Sequence, residues 1–268
     1  MSQRPPSLPP PASTRPSPDS TSGVLETSFR QAWDGVGGTG RDAAAQGVSV
    51  VFFVLDAWRP WLDVLRGLLD VPENERVACK RRSRDAEDLA LAYGLHRLAV
   101  GHATGCEARA VPLARDSLGR PFLRDESVQT SLSHADGAVA VAMARHGHVG
   151  IDIEAMARAA QMDEIADAVL HPSERAAVAA LSAHERARAL LALWVRKEAL
   201  LKAAGIGLAR EMHGFQAPEA SPVPLPAIDG PDGADVVVRM VDAGRGWMAA
   251  VAARPDARIV SAWLSPPG

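Results

Sequence analysis

Hydrophobic periodicity switches along this chain in an order that repeats: strand, helices, strands, and then strand, helices, strands again. Val48 to Leu55 (VSVVFFVL) is β-branched and aromatic, which predicts a strand. Residues 60–69 and 73–103 carry helical spacing, with Asp85 as a start and Leu89, Ala92, Leu95 and Leu98 recurring on one face. Short strands are expected over 108–113, 128–132, 138–144 and 148–153, and the turns at 135–137 and 145–147 read as hairpins. A second helical region runs from about 163 to 203, broken near Pro172 and Ser182 and stopped by Gly205 as a C-cap. Residues 216–234 hold five prolines and read as a loop, followed by strands at 236–240, 247–253 and 259–264. The predicted fold class is α+β, two similar (pseudo-duplicated) halves, each an antiparallel sheet packed with a long helix. The halves span 46–149 and 150–268. They follow a Pro/Ser-rich tail at 1–45, largely disordered because it has little apolar surface to bury, so order is expected to start near Val48.

Composition narrows the class. With 268 residues, 47% of them hydrophobic, a sizeable core is within reach. A net charge of −3 supplies no basic field to gather nucleic acid. Cys79 and Cys106 make neither a disulfide scaffold nor a metal knuckle and read as plain buried thiols. No apolar run approaches the ~18 residues of a membrane span, and the N-terminus lacks the apolar stretch of a signal peptide. A reduced, cytoplasmic protein is expected, with no membrane or nucleic-acid partner. Only three of the 29 basic residues are lysines, Lys80, Lys197 and Lys202, and two of these lie five positions apart.

Three short segments could carry chemistry. In Gly150-Ile151-Asp152-Ile153-Glu154, strand alternation anchors the isoleucines on one face and places both carboxylates on the other. Close carboxylates raise each other's pKa unless a cation lies between them, and oxygen donors favour a hard ion such as Mg²⁺. The same pattern is also that of an exposed strand face with two solvated acids. Trp194, Glu198 and Lys202 follow at i, i+4 and i+8 and share a helix stripe, either as an ordinary surface Glu–Lys pair or as a third carboxylate beside phosphate-binding lysines. Ser133-His134, at a strand end downstream of Gly119-Arg120-Pro121, supplies hydroxyl, imidazole and guanidinium groups suited to phosphate. As a nucleophile–base pair it is poor, because adjacent side chains diverge.

Taken in order, these blocks resemble the large, surfactin-synthetase-associated type of 4′-phosphopantetheinyl transferase. The family's G-(K/R)-P followed by S-H, its G-I-D-(I/V)-E, and its W-x-x-K-E-(A/S)-x-x-K-x-x-G-x-G-L are all met, the last by Trp194, Lys197, Glu198, Ala199, Lys202, Gly205, Gly207 and Leu208 without a gap. Leu170-His171-Pro172-Ser173-Glu174 resembles the family's segment after the metal strand. The resemblance covers roughly residues 48–264 and is dense from 119 to 208. It implies a holo-acyl-carrier-protein synthase activity: the phosphopantetheine arm of coenzyme A moves to a serine of an apo acyl, peptidyl or aryl carrier protein, and adenosine 3′,5′-bisphosphate leaves. It also implies that Asp152, Glu154 and Glu198 bind Mg²⁺ or Mn²⁺ with the coenzyme A pyrophosphate, and that Glu198 deprotonates the serine. Lys197 and Lys202 would hold phosphates, Lys202 steadying the leaving group, and Arg120, Pro121, Ser133 and His134 would contact the nucleotide. A monomer is implied.

Two departures stand out. Glu87 and Asp88 occupy positions near which the family often carries an arginine; Arg76, Lys80, Arg81, Arg82 and Arg84 are the candidate nucleotide contacts from the N-terminal helices, with Arg76 put forward among them. Arg120 replaces the more usual lysine, a change a phosphate contact tolerates. The carboxylates and lysines also suit a Mg²⁺-dependent phosphodiesterase or nuclease, though net charge −3 offers no basic groove. A non-catalytic coenzyme A or carrier-protein binding module is the third reading.

Overall fold

The computed structural model describes residues 18–35, 47–226 and 233–267. Its main helices are α1 (Pro18–Gly35), α2 (Val71–Ala78), α3 (Ser83–Thr104), α4 (Pro172–Ala179) and α5 (Ala183–Ala204). Its strands are β1 (Gly47–Val54), β2 (Leu113–Arg115), β3 (Pro121–Leu123), β4 (Gln129–Ala135), β5 (Ala138–Ala144), β6 (Val149–Ala155), β7 (Pro222–Pro224), β8 (Asp235–Val241), β9 (Trp247–Ala253) and β10 (Arg258–Trp263). The fold is α+β with two four-stranded sheets, ordered β10-β1-β5-β4 and β6-β9-β8-β7, and a small β2-β3 ladder.

Both faces of the central strands are covered, which is why they read as unbroken apolar runs. In β1, Val51 and Phe53 face a core with α3, while Val48, Val50 and Phe52 face the other sheet. Ile151 and Ile153 of β6 and Val251 of β9 meet them from that side, and α5 packs on the opposite face of the second sheet. The layers therefore run α3, first sheet, second sheet, α5.

The chain orders before Val48. Leu25, Phe29 and Trp33 repeat at i, i+4 and i+8 along α1, and all three are buried. Phe29 lies 6.2 Å from both the Phe53 and Trp58 rings. A stretch placed in a disordered tail is thus part of the core, because three large apolar side chains on one stripe suffice to dock a helix. Residues 1–17 and 36–46 of the expected tail lie outside the described residues.

The last strand also departs from expectation. Instead of completing the second sheet beside β9, β10 crosses back and pairs in parallel with β1, with Val50 opposite Ser261. Trp58 Nε1 then donates to the Leu264 carbonyl at 3.2 Å. The turn at 135–137 is a hairpin between β4 and β5, but 145–147 is not, since it carries the chain from one sheet to the other. The expected strand at 108–113 begins only at Leu113, because the Arg97 guanidinium takes the carbonyls of Ala108, Arg109 and Val111 at 3.3–3.5 Å. The proline-rich loop contains the edge strand β7, where two prolines need no ladder partner. Cys79 is exposed and Cys106 half-buried, so neither is a plain buried thiol.

β4 and β6 lie side by side with no backbone ladder between them. Two serines stitch them instead: Ser131 Oγ accepts from the Ile151 amide at 3.1 Å and Ser133 Oγ from the Ile153 amide at 3.4 Å. Ser131→Ala leaves a buried amide unpaired and is expected to cost about 1–3 kcal/mol. Thermal unfolding of that variant should fall by about 2–4 °C per kcal/mol.

Candidate active site

Close approach of α5 to β6 builds the site. A Cβ on Gly150 would lie 2.0 Å from the Ala199 carbonyl oxygen, so only glycine lets the helix rest against this strand. The contact sets Glu198 and Lys202 over Asp152. As alternation requires, Ile151 and Ile153 point between the sheets and Asp152 points toward α5, where it is buried.

Asp152, Lys202 and Ser133 close a hydrogen-bonded ring. Lys202 Nζ donates to Asp152 Oδ1 at 2.7 Å and to Ser133 Oγ at 2.8 Å, and Ser133 Oγ donates to the same Asp152 oxygen at 2.7 Å. Asp152 Oδ2 is buried with no partner among the described residues. Glu154, two positions on, pairs with Arg158, whose guanidinium covers the Trp194 ring. Burial, and then the charge of Asp152, raise the Glu154 pKa against the pull of Arg158. The same two causes push Glu198 up to about 7, Lys202 opposing and Glu154 adding. Mutual repulsion of this kind is what a cation among three carboxylates would relieve.

An all-oxygen donor set with one buried, partnerless carboxylate oxygen fits a hard divalent cation in its chemistry. Among the described residues, no three acidic, histidine or cysteine side chains stand close enough together to hold a metal. Lys202 occupies Asp152 and Arg158 occupies Glu154, so binding would require these pairs to exchange partners.

Across from the acids lies the turn that delivers Gly119, Arg120 and Pro121. Gly119 takes φ +86°, and the Asp116 carboxylate accepts the amides of Leu118 and Arg120 at 3.0 and 2.9 Å. Arg120 folds over the end of α5, where a Cβ on Gly205 would meet its Nη1 at 2.5 Å. Arg115, Arg120 and Pro121 line one side of a cleft of about 230 Å³, and Glu198 and Lys202 line the other. His134 stands at the end of β4. The protein packed around it, and then the charges of Lys202 and Lys80, lower its pKa. Arg76 on α2 brings a guanidinium nitrogen within 3.6 Å of where a Gly119 side chain would begin.

These cations are uncompensated. Among the described residues, Arg76, Lys80, Arg115 and Arg120 form no ion pair, whereas nearby Arg59 and Arg84 are neutralised by Asp56, Glu87 and Asp88. Glu87 and Asp88, the acids that seemed out of place, therefore serve Arg59 and leave the cleft cations unpaired.

Lys197, predicted to hold phosphate, lies away from the cleft. It is fully buried, and its Nζ donates to Val169 O at 2.7 Å, Glu174 Oε2 at 2.7 Å and Met212 O at 3.0 Å. At 3.6 residues per turn, positions 197 and 202 lie about 140° apart around a helix, so they face different sides of α5. Arg115 and Gly150 were given no role in the sequence reading. The signal for Gly150 was a glycine in a strand facing a long helix, which marks close backbone approach. Nothing local distinguished Arg115.

The model of the 4′-phosphopantetheinyl transferase superfamily matches residues 148–232, which span Asp152, Glu154, Glu198 and Lys202. The 4′-phosphopantetheinyl transferase HetI of Nostoc sp. is 27% identical over 121 residues, covering 44% of this chain and 51% of that protein. A putative 4′-phosphopantetheinyl transferase of Synechocystis sp. is 22% identical over 153 residues, covering 56% of this chain and 62% of its own length. The chain thus spans between half and two thirds of the length of these relatives. Residues 148–232, which carry the acidic side of the cleft, are thus the part of this chain that is similar to the 4′-phosphopantetheinyl transferase superfamily.

Proposed function

We propose that this chain transfers the 4′-phosphopantetheine arm of coenzyme A to a serine of an apo carrier protein and releases adenosine 3′,5′-bisphosphate, in the manner of the family's large type. The observation that carries this reading is the cleft itself. One wall holds Glu198 and Lys202, the latter paired with Asp152, and the other holds Arg120, which forms no ion pair among the described residues. Such a wall suits a polyanion, and coenzyme A brings a pyrophosphate and a 3′-phosphate.

The chain's own groups then have distinct tasks. Arg120, His134 and Arg76 hold the nucleotide phosphates, and Pro121 and the Ser133 hydroxyl shape that side of the cleft. The Glu198 carboxylate accepts the proton of the incoming serine hydroxyl, whose oxygen attacks the phosphorus bearing the pantetheine arm. The bond from that phosphorus to the bridging oxygen breaks, and Lys202 Nζ steadies the charge left on the departing phosphate. Asp152, Glu154 and Glu198 would hold a Mg²⁺ or Mn²⁺ ion, which when bound neutralises charge on the pyrophosphate oxygens. Lys197 is left out of these roles by its burial.

Intact-mass spectrometry of apo carrier proteins incubated with the chain, coenzyme A and Mg²⁺ tests the proposal. A gain of about 340 Da, the mass of the arm that the cofactor carries, is the expected result. EDTA should stop the gain and excess Mg²⁺ should restore it. Full turnover in excess chelator would remove the metal role, and a folded chain that neither binds coenzyme A nor modifies any carrier would overturn the reading.

A further inference from the structure

Arg115 lines the cleft, yet its contacts turn it away from a ligand. Its guanidinium carbon sits 4.3 Å from the centre of the Tyr93 ring of α3, and its Nη1 donates to the Gly119 carbonyl at 3.1 Å. That carbonyl belongs to the peptide that joins Gly119 to Arg120. Nε and Nη2 of Arg115 are buried and have no partner among the described residues.

The same is true of His96 Nδ1 and Glu73 Oε1. His96 Nε2 lies 2.8 Å from Thr130 Oγ1, which is 3.3 Å from the Ala142 carbonyl. Burial, and then the charges of Arg115 and Arg97, hold His96 well below the ordinary imidazole range. Glu73 is fixed by Arg97 at 2.6 Å.

We infer that Arg115 is a positioning residue, which fixes the Gly119–Arg120 peptide and so presents Arg120 to the cleft ligand, braced from behind by Tyr93. Asp116 secures the amides of this turn, and Arg115 makes the side-chain bond to its Gly119 carbonyl. Without it, this peptide keeps only the Asp116 bond to its amide, and after a glycine at positive φ it is freer to rotate about that single anchor.

The inference rests on the coenzyme A reading, and the test separates the two. Hydrogen exchange at Leu118–Arg120 and calorimetric coenzyme A binding are measured on the full chain, as wild type, Arg115→Met and Arg115→Lys. Loss of a charged hydrogen bond predicts exchange and Kd each raised roughly ten- to hundred-fold in Arg115→Met. Arg115→Lys, which keeps the cation over Tyr93, should recover part of both, and it carries the test alone if the methionine variant does not fold. Faster exchange with unchanged affinity, or weaker binding with unchanged exchange, overturns the inference while the proposed function stands. Wild-type protein that binds no coenzyme A overturns both.

Discussion

Glu198→Gln should lower phosphopantetheine transfer by roughly 10²- to 10⁴-fold, the contribution of a positioned general base, while leaving the fold as stable as before or more so. The two halves of that expectation come from one fact. Glu198 is crowded by Asp152 and Glu154 in a half-buried cleft, so its ionised form is disfavoured relative to the unfolded chain. An acid whose pKa rises on folding loses stability as pH climbs above its unfolded value, and a neutral amide of the same shape escapes that cost. Glutamine fills the same space and cannot take a proton from serine. Activity measured beside thermal unfolding therefore distinguishes a base from a structural carboxylate. Asp152→Ala is the less clean companion, because it also strands Lys202 and Ser133. Normal turnover by Glu198→Gln would remove this residue from the chemistry.

The second large effect concerns Lys197. Lys197→Met keeps the apolar stem and deletes the ammonium, leaving Glu174 without its cation, the Val169 carbonyl without this donor and the Met212 carbonyl with only the Phe215 amide at 3.4 Å. Removing one partner of a buried pair costs about 3–5 kcal/mol, and at about 2–4 °C per kcal/mol the loss is plain in a melting curve. Glu174 also accepts the amides of His171 and Ala217, so α4 and the chain after Phe215 loosen together. For the variant that folds, coenzyme A affinity should hold near the wild-type value. The opposite pattern, an unchanged melting temperature with weakened coenzyme A binding, would return Lys197 to the phosphate site.

These two neighbours on α5 show how much a sequence by itself determines. The D-x-E alternation on β6, the Trp194–Glu198–Lys202 stripe and the Gly205 cap were all legible, because a period of 2 or 3.6 and a left-handed terminal residue are properties of a segment. Angular spacing on a helix even separates Lys197 from Lys202, a reading that motif order concealed. The α+β class followed from the same local signals. What only tertiary structure decided is which surfaces meet. Docking of α1 through Leu25, Phe29 and Trp33, the return of β10 to β1, and the capture of three carbonyls by Arg97 each join residues far apart in the chain. Whether a charge is covered, paired or left facing the cleft depends on such distant neighbours. The burial of Lys197 and the stacking of Arg115 on Tyr93 were therefore decided by tertiary structure alone, as was the close contact at Gly150 that brings Asp152, Glu198 and Lys202 together.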